Sequence, residues 1–417
     1  MWRSAEFRAL VASHVFSALG DNLARVALAI VFFQRTGSAL LAAATFGVSY
    51  APSLLGGPLL STFGDRFERR RVMVVCDVAR AALVTGAAGC VYLGWPPVAA
   101  IAFVLTAAFF SPAFDASRAA LIPQVVATDE YVAANVVTGM TLQGTQIVAY
   151  LAGAAAVTTV GGGGALLIDA GTFVLSAFAL IVFVQRRPHV TTTTSSDPRG
   201  NAPRAGMVAM MRDGAREVWT RPVLRSLLSV SFLVVLGCIV PEGLAVVYAS
   251  RHGLHGLAQG AFVAAVPIGT TLGGITLARF VDPTRRIRWI RPLALATPMA
   301  LLLTAVPMPP AAVFVLWTIA GLLMSFLFPA NAAFVLHTPP AVRARAMGLA
   351  QSALTGAQVL GLIGGGALAT VLDVRYVVAV AGALTLAAIA WPLRHWPAEL
   401  AVAHEGAPTP LLEADVR

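Results

Sequence analysis

Long apolar segments follow one another along almost the whole chain and constrain its fold more than any other feature. We count about 12 of them, each long enough for the roughly 20 residues that a helix needs to cross a bilayer. Of the 417 residues, 58% are hydrophobic and 12% are charged, which is more apolar than a typical soluble domain. Backbone groups find no water inside lipid, so each segment has to be helical. The chain is therefore predicted to be an all-α membrane protein.

The basic residues are all arginines, and most of them fall on one side of the predicted membrane. Of the 29, about 24 lie in segments on that side, about 3 on the other and about 2 inside spans, which is the positive-inside pattern. This pattern predicts that both termini are cytoplasmic. The net charge of +10 does not indicate nucleic-acid binding, because that function needs a basic stripe interleaved with aromatic residues.

A weak internal repeat divides the chain into two parts. Residues 51–70 align without a gap with residues 268–287, and residues 143–148 resemble residues 355–360. A repeat of this kind predicts two parallel halves related by an axis along the membrane normal. In the first alignment, Leu55, Gly56, Gly57, Leu60, Phe63, Asp65 and Arg69 match Leu272, Gly273, Gly274, Leu277, Phe280, Asp282 and Arg286.

The predicted spans and the polar segments between them give the domain boundaries. We expect one six-helix bundle at residues 1–187 and a second at 222–398. Residues 188–221, which include a run of Thr, Ser, Pro and Gly, are expected to be a cytoplasmic linker. Residues 399–417 are expected to be a cytoplasmic tail.

The loop after the second predicted span resembles the signature loop of the major facilitator superfamily. Asp65-Arg66 and Arg69-Arg70 match its acidic and basic positions, whereas Ser61 and Glu68 replace its two glycines. The resemblance implies the fold of that superfamily, with 12 transmembrane helices arranged as two pseudo-symmetric six-helix halves.

Three further stretches resemble one branch of this superfamily, which holds enterobactin and other siderophore exporters and macrolide-efflux proteins. They are SPAFDASRAALIPQV at 111–125, AANVV at 133–137 and LLIDAGTFVLSA at 166–177. Gly153 matches the glycine of the antiporter pattern in the fifth helix, whose proline is absent here. The resemblance implies proton-driven export of amphipathic compounds by a monomer in a bacterial-type inner membrane.

Two acidic residues inside predicted spans are candidates for proton coupling, because an ionisable side chain in the membrane is costly. Asp21 lies one turn from Arg25 on the same helix face, where the two can pair. Asp21 is either a proton-carrying acid, which Arg25 holds ionised between transport events, or part of a permanent structural ion pair. Glu242 follows Pro241, which is expected to break the seventh helix. It is a second candidate proton or cation site, or else a structural acid.

Charged side chains near the inner ends of the spans are predicted to form a gate between the halves. Asp65 is expected to accept hydrogen bonds from free amides at the start of a helix in the other half, near Ala346. This tie would close the inner end and would break and re-form as the halves rock. The predicted members of the gate are Gly57, Asp65, Arg66, Arg69, Arg70, Asp77, Arg80, Asp115 and Arg118.

Polar residues in other spans are candidates for the wall of a substrate cavity. Contacts between neighbouring helices explain such residues equally well. His14 and His337 can titrate near neutral pH, although a lone histidine is more often structural. The cavity candidates are Asn22, Gln143, Gln146, Asp169, Asn331 and Gln358.

No catalytic, cofactor or metal site is expected. Cys76, Cys90 and Cys238 all fall within predicted spans, with neither a disulfide pattern nor a metal-ligand spacing. The chain has no lysine for a phosphate-binding loop. It also has no nucleophile whose spacing from a histidine and an acid along the sequence matches a known catalytic motif.

The predicted function is secondary active transport, in the form of proton-coupled export of an amphipathic small molecule such as a drug or a secreted metabolite. The expected partners are this substrate, protons and the lipid bilayer, without nucleic acid. A lipid transporter or an uptake permease of the same fold is an alternative, because a sequence pattern carries no transport direction. A transport-dead membrane sensor is another, although the density of buried charge and the lack of a soluble signalling domain in these residues count against it.

Overall fold

The computed structural model of the chain describes residues 4–47, 49, 50, 52, 68–126, 130–186, 215–282, 285–340, 342–397 and 400. Within these residues the regular secondary structure is helical. The predicted gate residues Gly57, Asp65 and Arg66 lie outside the described residues, as do residues 188–214 of the predicted linker and nearly all of the predicted tail.

The helices follow the predicted spans closely. Those of the first half are α1 (Ala5–Thr36), α2 (39–47, continued at 49, 50 and 52), α3 (Arg69–Tyr92), α4 (Pro97–Ala108), α5 (Ser111–Val125) and α6 (Tyr131–Phe183). Those of the second half are α7 (215–220), α8 (Pro222–Arg251), α9 (Leu257–Phe280), α10 (Ile290–Leu302), α11 (Pro310–Met324), α12 (Leu327–His337), α13 (Arg343–Leu368) and α14 (Val374–Arg394).

Helix α6 consists of two limbs. Gly161 lies between them with φ 75° and ψ 171°, which is not helical. Glycine adopts this conformation readily because it has no Cβ. The two limbs correspond to the predicted fifth and sixth spans. The expected break at Pro241 is wrong, because α8 continues through that residue as far as Arg251.

The fourth span of each half is divided in the same way. Residues 109 and 110 separate α4 from α5, and residues 325 and 326 separate α11 from α12. Pro112 and Pro329 lie in the first turn of the second segment in each case. These prolines are 217 positions apart, which is also the offset that aligns residue 51 with residue 268. The sequence repeat is therefore also a repeat of backbone geometry.

Close helix packing also repeats between the halves, through two glycines that are 212 positions apart, which is the offset of the second sequence repeat. Gly153 on α6 packs against α1, where a Cβ on this glycine would lie 2.9 Å from the Leu23 carbonyl oxygen. Gly365 on α13 packs against α8, where a Cβ would lie 2.8 Å from Val240 Cγ1. Leu23 and Val240 are again 217 positions apart. Small residues thus allow equivalent helices to approach each other in both halves.

Nine helical ranges within the described residues are long and apolar enough to cross a membrane. One of them, Thr138–Phe183, has 46 residues and contains the kink at Gly161, so it accommodates two crossings. The partly described α2 and the 13-residue α10 are not among the nine. Counting these two helices and both limbs of α6 gives the twelve predicted spans. The chain is a multi-pass membrane protein.

The described packing joins the two halves at one end of the bundle. We name the end where α1, α3 and α8 begin the basic end, and the other the opposite end. The largest buried cluster combines second-half side chains with first-half side chains from 23–30, 39–46 and 150–157, all toward the opposite end. The buried clusters around Phe7 and Leu10, at the basic end, contain first-half residues alone.

Glycines allow the halves to approach closely at the opposite end. A Cβ on Gly366 of α13 would lie 2.8 Å from the Ala43 Cβ on α2. A Cβ on Gly260 of α9 would lie 2.6 Å from the Tyr150 carbonyl oxygen on α6. The contacts seal this end of the interface between the halves.

Candidate functional site

A polar cavity of about 270 Å³ lies inside the first half, below the sealed opposite end. Its walls come from α1, α2, α3, α5 and the first limb of α6, and they carry four charged side chains in an otherwise apolar bundle. Intramembrane ionisable groups facing a cavity are the usual mark of a substrate or ion pathway. The lining residues are His14, Ser17, Ala18, Asp21, Asn22, Arg25, Tyr50, Arg80, Ser111, Phe114, Asp115, Leu142, Gln143 and Gln146.

Arg80 is the central charge of this cavity, although only 1% of its side chain is exposed. Its Nη2 forms an ion pair with Asp21 Oδ2 on α1, and its Nη1 donates a 2.6 Å hydrogen bond to Ser17 Oγ. Its Cζ lies 4.2 Å from the centre of the Phe173 ring on α6. Asp77 Oδ1, one turn away on α3, is 3.6 Å from Nη1. Arg80 therefore links α1, α3 and α6, and two carboxylates balance its charge.

Asp77 is held from the other side by serine. The Ser176 hydroxyl on α6 donates to Asp77 Oδ2 over 2.5 Å and lies 3.0 Å from the Ser13 carbonyl oxygen. Asp77 is fully buried, so its position depends on these contacts. Asp77 and Arg80 are predicted to group with Asp65 and Arg69. Their described contacts are with Asp21, Ser17 and Ser176, and Asp65 lies outside the described residues.

Arg25 does not form the predicted pair with Asp21. Its Nη1 instead donates to Asn22 Oδ1 over 3.1 Å and to the Tyr50 hydroxyl over 3.2 Å. The guanidinium also stacks over the Tyr50 ring, with Cζ 4.6 Å from the ring centre. Asp21 and Arg25 are close on one helix face, but the Asp21 carboxylate forms its ion pair with the buried Arg80 on a neighbouring helix.

A chain of hydrogen bonds crosses from the first half to the second at the top of the cavity. Gln146 Nε2 donates to the Tyr150 hydroxyl over 2.8 Å, and this hydroxyl donates to Glu242 Oε1 over 2.6 Å. Glu242 on α8 is buried. A hydrogen bond to a carboxylate shielded from water is among the stronger polar contacts. Glu242 therefore acts as a link between the halves, and it does not line the cavity.

Asp115 on α5 is the most accessible acid of the cavity, with 53% of its side chain exposed. His14 Nδ1 on α1 lies 3.7 Å from Asp115 Oδ1, and Arg118 Nε lies 3.9 Å from the same oxygen. The His14 ring stacks on Phe114, with ring centres 6.3 Å apart. These long polar contacts leave the Asp115 carboxylate open to the cavity.

Asp169 on the second limb of α6 is fully buried, and neither of its carboxyl oxygens has a hydrogen-bond partner among the described residues. It packs against Gly20, where a Cβ would overlap Asp169 Oδ1 and the Thr172 hydroxyl. Gly20 is the neighbour of Asp21 on α1. Asp169 therefore lies behind the Asp21–Arg80 pair and outside the cavity wall, unlike the cavity position predicted for it.

Two of the predicted gate arginines cap helix ends at the basic end. Arg69 Nη1 donates to the Ala120 carbonyl oxygen over 2.7 Å. Arg70 donates from Nε to the Leu180 oxygen over 3.0 Å and from Nη2 to the Ile181 oxygen over 2.5 Å. Cations at the carbonyl end of a helix complement its dipole. Both arginines thus fasten α3 to neighbouring helices within the first half.

The remaining predicted residues are divided between the cavity and other places. Asn22, Gln143 and Gln146 line the cavity, whereas Asn331 and Gln358 on the second half are not among its lining residues. Sequence reasoning missed Ser17, Tyr50, Phe173, Ser176 and the hydrogen-bonding hydroxyl of Tyr150.

The sequence offered little to identify these residues as part of a site, because serines and aromatic residues in an apolar span are typical of ordinary helix packing. Within the described part of the chain, no group of three or more His, Cys, Asp or Glu side chains is placed to hold a metal ion.

Comparison with known proteins supports the architecture. A profile of the Major Facilitator Superfamily matches residues 10–340. Two curated relatives, an uncharacterized MFS-type transporter of Mycobacterium bovis and one of Mycobacterium tuberculosis, are each 28% identical over 142 residues. This alignment covers 32% of the present chain and 32% of each relative. The chain therefore matches about a third of those relatives' length.

Solved structures show a similar fold over nearly the whole chain. The nucleoside transporter NupG superposes with a TM-score of 0.69 at 13% identity, covering 94% of this chain and 99% of that one. A mutant peptide transporter POT in complex with alafosfalin gives 0.71 at 13% identity, with 96% of each chain covered.

A bacterial homologue of the iron transporter ferroportin, in an inward-facing state, gives a TM-score of 0.66 at 16% identity, covering 93% of this chain and 98% of that one. At such identities the similarity establishes the fold alone. Together with the profile match and the helix arrangement described above, it leads to one conclusion: the chain belongs to the Major Facilitator Superfamily of membrane transporters.

Proposed function

We propose that this transporter exports an amphipathic small molecule in exchange for protons, and that Asp21 carries the proton. The Asp21–Arg80 ion pair at the cavity wall is the observation that carries this proposal. Asp21 is 34% exposed to the cavity, whereas its partner is 1% exposed. A proton arriving through the cavity therefore reaches the acid while the cation stays behind it.

Protonation of Asp21 would change the balance of charge around Arg80. The guanidinium would lose one of its two carboxylate neighbours and keep Asp77 and Ser17 as partners. Because Arg80 joins three helices, the change would alter how α1 packs against α3 and α6. A proton can shift the conformational equilibrium only by such a difference in interaction free energy between the two states.

The cavity wall favours an amphipathic substrate. Phe114 and Leu142 provide apolar surface, and Gln143 and Gln146 provide amide groups that both donate and accept hydrogen bonds. The exposed Asp115 carboxylate adds a negative charge suited to a basic group. Mostly apolar pockets with a few polar groups are typical of sites for small molecules.

The packing of the halves supports loading from the cytoplasm. The halves meet at the opposite end, and the positive-inside pattern predicts that the basic end is cytoplasmic. In this arrangement the cavity is closed toward the outside. The resemblance to siderophore and macrolide exporters favours export as the direction. Transport would then follow when the halves rock and the opposite end opens.

The gate predicted at the basic end completes this cycle. Helix α13 begins at Arg343 with Val342 as its N-cap, and that N-cap makes no side-chain hydrogen bond. Helix starts have unpaired amides that attract carboxylates. We retain the proposal that Asp65 binds there when the basic end closes.

Reconstituted vesicles provide the test. Purified protein in proteoliposomes would be given an imposed pH gradient and a panel of fluorescent amphipathic amines, with protein-free vesicles as control. We expect substrate to move against the direction of proton flow and to stop when an uncoupler removes the gradient. Movement in the same direction as protons would indicate an uptake permease, and gradient-independent equilibration would exclude coupling to protons.

A further inference from the structure

An apolar cleft in the second half is separate from the polar cavity and has no part in the proposed function. Its volume is about 490 Å³, within the range of sites for small molecules. Four helices form it, and Ser229 supplies a hydroxyl to an otherwise apolar wall. The lining residues are Ala215, Val218, Trp219, Leu228, Ser229, Phe232, Leu233, Leu349, Ala353, Ala388, Trp391 and Pro392.

The cleft lies in the half of the bundle next to the basic end. Its α8 residues begin at Leu228, six positions after that helix starts at Pro222, or about 9 Å along the axis. Its α13 residues begin at Leu349, six positions after Arg343, and its α14 residues end two positions before Arg394. This is the depth at which one leaflet's acyl chains lie.

Aromatic residues mark the mouth of the cleft. Trp219 and Trp391 both line it and are both exposed. Tryptophan is enriched where the hydrocarbon meets the headgroups, because its ring is apolar and its N–H needs a polar partner. His395 continues the same face of α14, and its ring centre lies 5.1 Å from that of Trp391.

Arginines lie within about one helical turn of residues that line the cleft. Arg225 is one helical turn before Leu228 and Ser229 on α8, and Arg394 is three positions after Trp391 on α14. Residues with these spacings share a helix face. Arg216 and Arg221 lie on or next to α7, where Glu217 pairs with Arg221. The cleft is therefore apolar inside and has a net positive rim.

We propose that this cleft binds an anionic glycerophospholipid from the leaflet at the basic end, with an acyl chain between the tryptophans and the phosphate near Arg225 and Arg394. Basic clusters next to apolar membrane surfaces attract anionic headgroups. The cleft wall has no acidic side chain, unlike the polar cavity, so it does not match the basic substrate proposed above.

Quenching of tryptophan fluorescence tests this assignment in the full-length protein. The protein is placed in phosphatidylcholine nanodiscs with a minor fraction of dibrominated phosphatidylglycerol or, in parallel, dibrominated phosphatidylcholine. The Trp219→Phe/Trp391→Phe variant identifies the signal of the cleft by difference. We expect the brominated phosphatidylglycerol to quench these two tryptophans at a much lower mole fraction than the brominated phosphatidylcholine does.

Matched variants separate a specific site from general attraction to a basic surface. Arg225→Gln/Arg394→Gln should weaken the preference for phosphatidylglycerol by about fivefold per arginine. Arg279→Gln/Arg288→Gln removes the same charge from exposed positions of α9 and the following turn, and it should keep the preference. Ala353→Phe places a ring in the cleft and should reduce quenching by both lipids.

Several outcomes would overturn the proposal. Equal quenching by the two lipids would mean that no anionic headgroup is recognised. Absence of quenching by either lipid would mean that another part of the chain fills the cleft. An unchanged preference in Arg225→Gln/Arg394→Gln would place the anionic lipid elsewhere, and relief of quenching by an amphipathic amine would make the cleft part of the substrate path.

Discussion

The Tyr150 hydroxyl on α6 donates a 2.6 Å hydrogen bond to Glu242 Oε1 on α8, and this contact ties the first half of the chain to the second. Glu242 is 5% exposed, so the carboxylate has little access to water as a replacement partner. The bond lies at the level where the described packing closes the cavity. In the transport cycle that we propose, this contact has to break when the opposite end opens.

Removal of this hydroxyl should weaken the closed opposite end. Tyr150→Phe leaves a buried acceptor without its donor, at a cost of about 1–3 kcal/mol. We expect a lower unfolding temperature and faster thiol labelling of a cysteine placed at Ala43, at the interface between α2 and α13. Tyr248→Phe is the matched control, because the buried Tyr248 hydroxyl has no partner among the described residues. Equal effects of the two substitutions would show that the bond contributes nothing.

The Asp21–Arg80 pair should behave as a coupled unit in a double-mutant cycle. Arg80→Gln leaves the Asp21 carboxylate without its cation and should destabilise the protein by roughly 3 kcal/mol, the lower end for buried pairs because Asp21 is partly exposed. Adding Asp21→Asn should restore part of that loss. Unfolding in detergent measures each corner of the cycle. Strict additivity of the two substitutions would mean that the pair has no energetic coupling.

The stability of the protein should tolerate removal of the Asp169 charge, but not a larger side chain packed against Asp169. Asp169→Asn keeps the size of a buried group that has no hydrogen-bond partner in the described structure, so thermal stability should stay the same or rise. Gly20→Ala places a methyl group against the Asp169 carboxyl and should cost about 1–3 kcal/mol. A large loss of proton-driven transport in Asp169→Asn, with stability kept, would move the coupling site to this residue.

Cysteine labelling in intact cells checks the orientation on which the transport direction depends. The native cysteines Cys76, Cys90 and Cys238 are all buried, so background labelling should be low. A membrane-impermeant maleimide should label Pro96→Cys from outside and should label Ser196→Cys only after the cells are opened. External labelling of Ser196→Cys in intact cells would show that the topology is the opposite of the predicted one.

The helices and their repeat could be predicted from sequence because hydropathy and proline positions act locally. Pro112 and Pro329 are 217 positions apart in the sequence, and each begins the second segment of a divided span in the structure. The glycines around Gly161 likewise predict the connection that the backbone shows there. The predicted helix break at Pro241 is wrong because the effect of a proline depends on its neighbours. In a bundle, surrounding helices can satisfy the backbone groups that a proline frees, so α8 continues.

The partners within the site could not be predicted, because they lie on different helices. Spacing on α1 indicated Arg25 as the partner of Asp21, whereas the buried Arg80, 59 positions away, takes the carboxylate. The Arg25 guanidinium instead donates a hydrogen bond to Tyr50 and stacks on its ring. A sequence pattern reports neighbours on one helix but not the rotation of one helix against another.

If protonation of Asp21 drives transport, as we propose, proton-driven flux in the Asp21→Asn variant shows it most directly. Asparagine keeps the shape of the side chain without the charge, so it represents the protonated acid. The measurement compares uphill transport under an imposed pH gradient with substrate exchange at equal pH, in proteoliposomes of the natural protein, Asp21→Asn and the control Glu242→Gln. We expect Asp21→Asn to retain exchange but lose uphill transport, and Glu242→Gln to lose less of it. Uphill transport that persists in Asp21→Asn but disappears in Glu242→Gln would contradict this proposal and place the coupling acid in the second half.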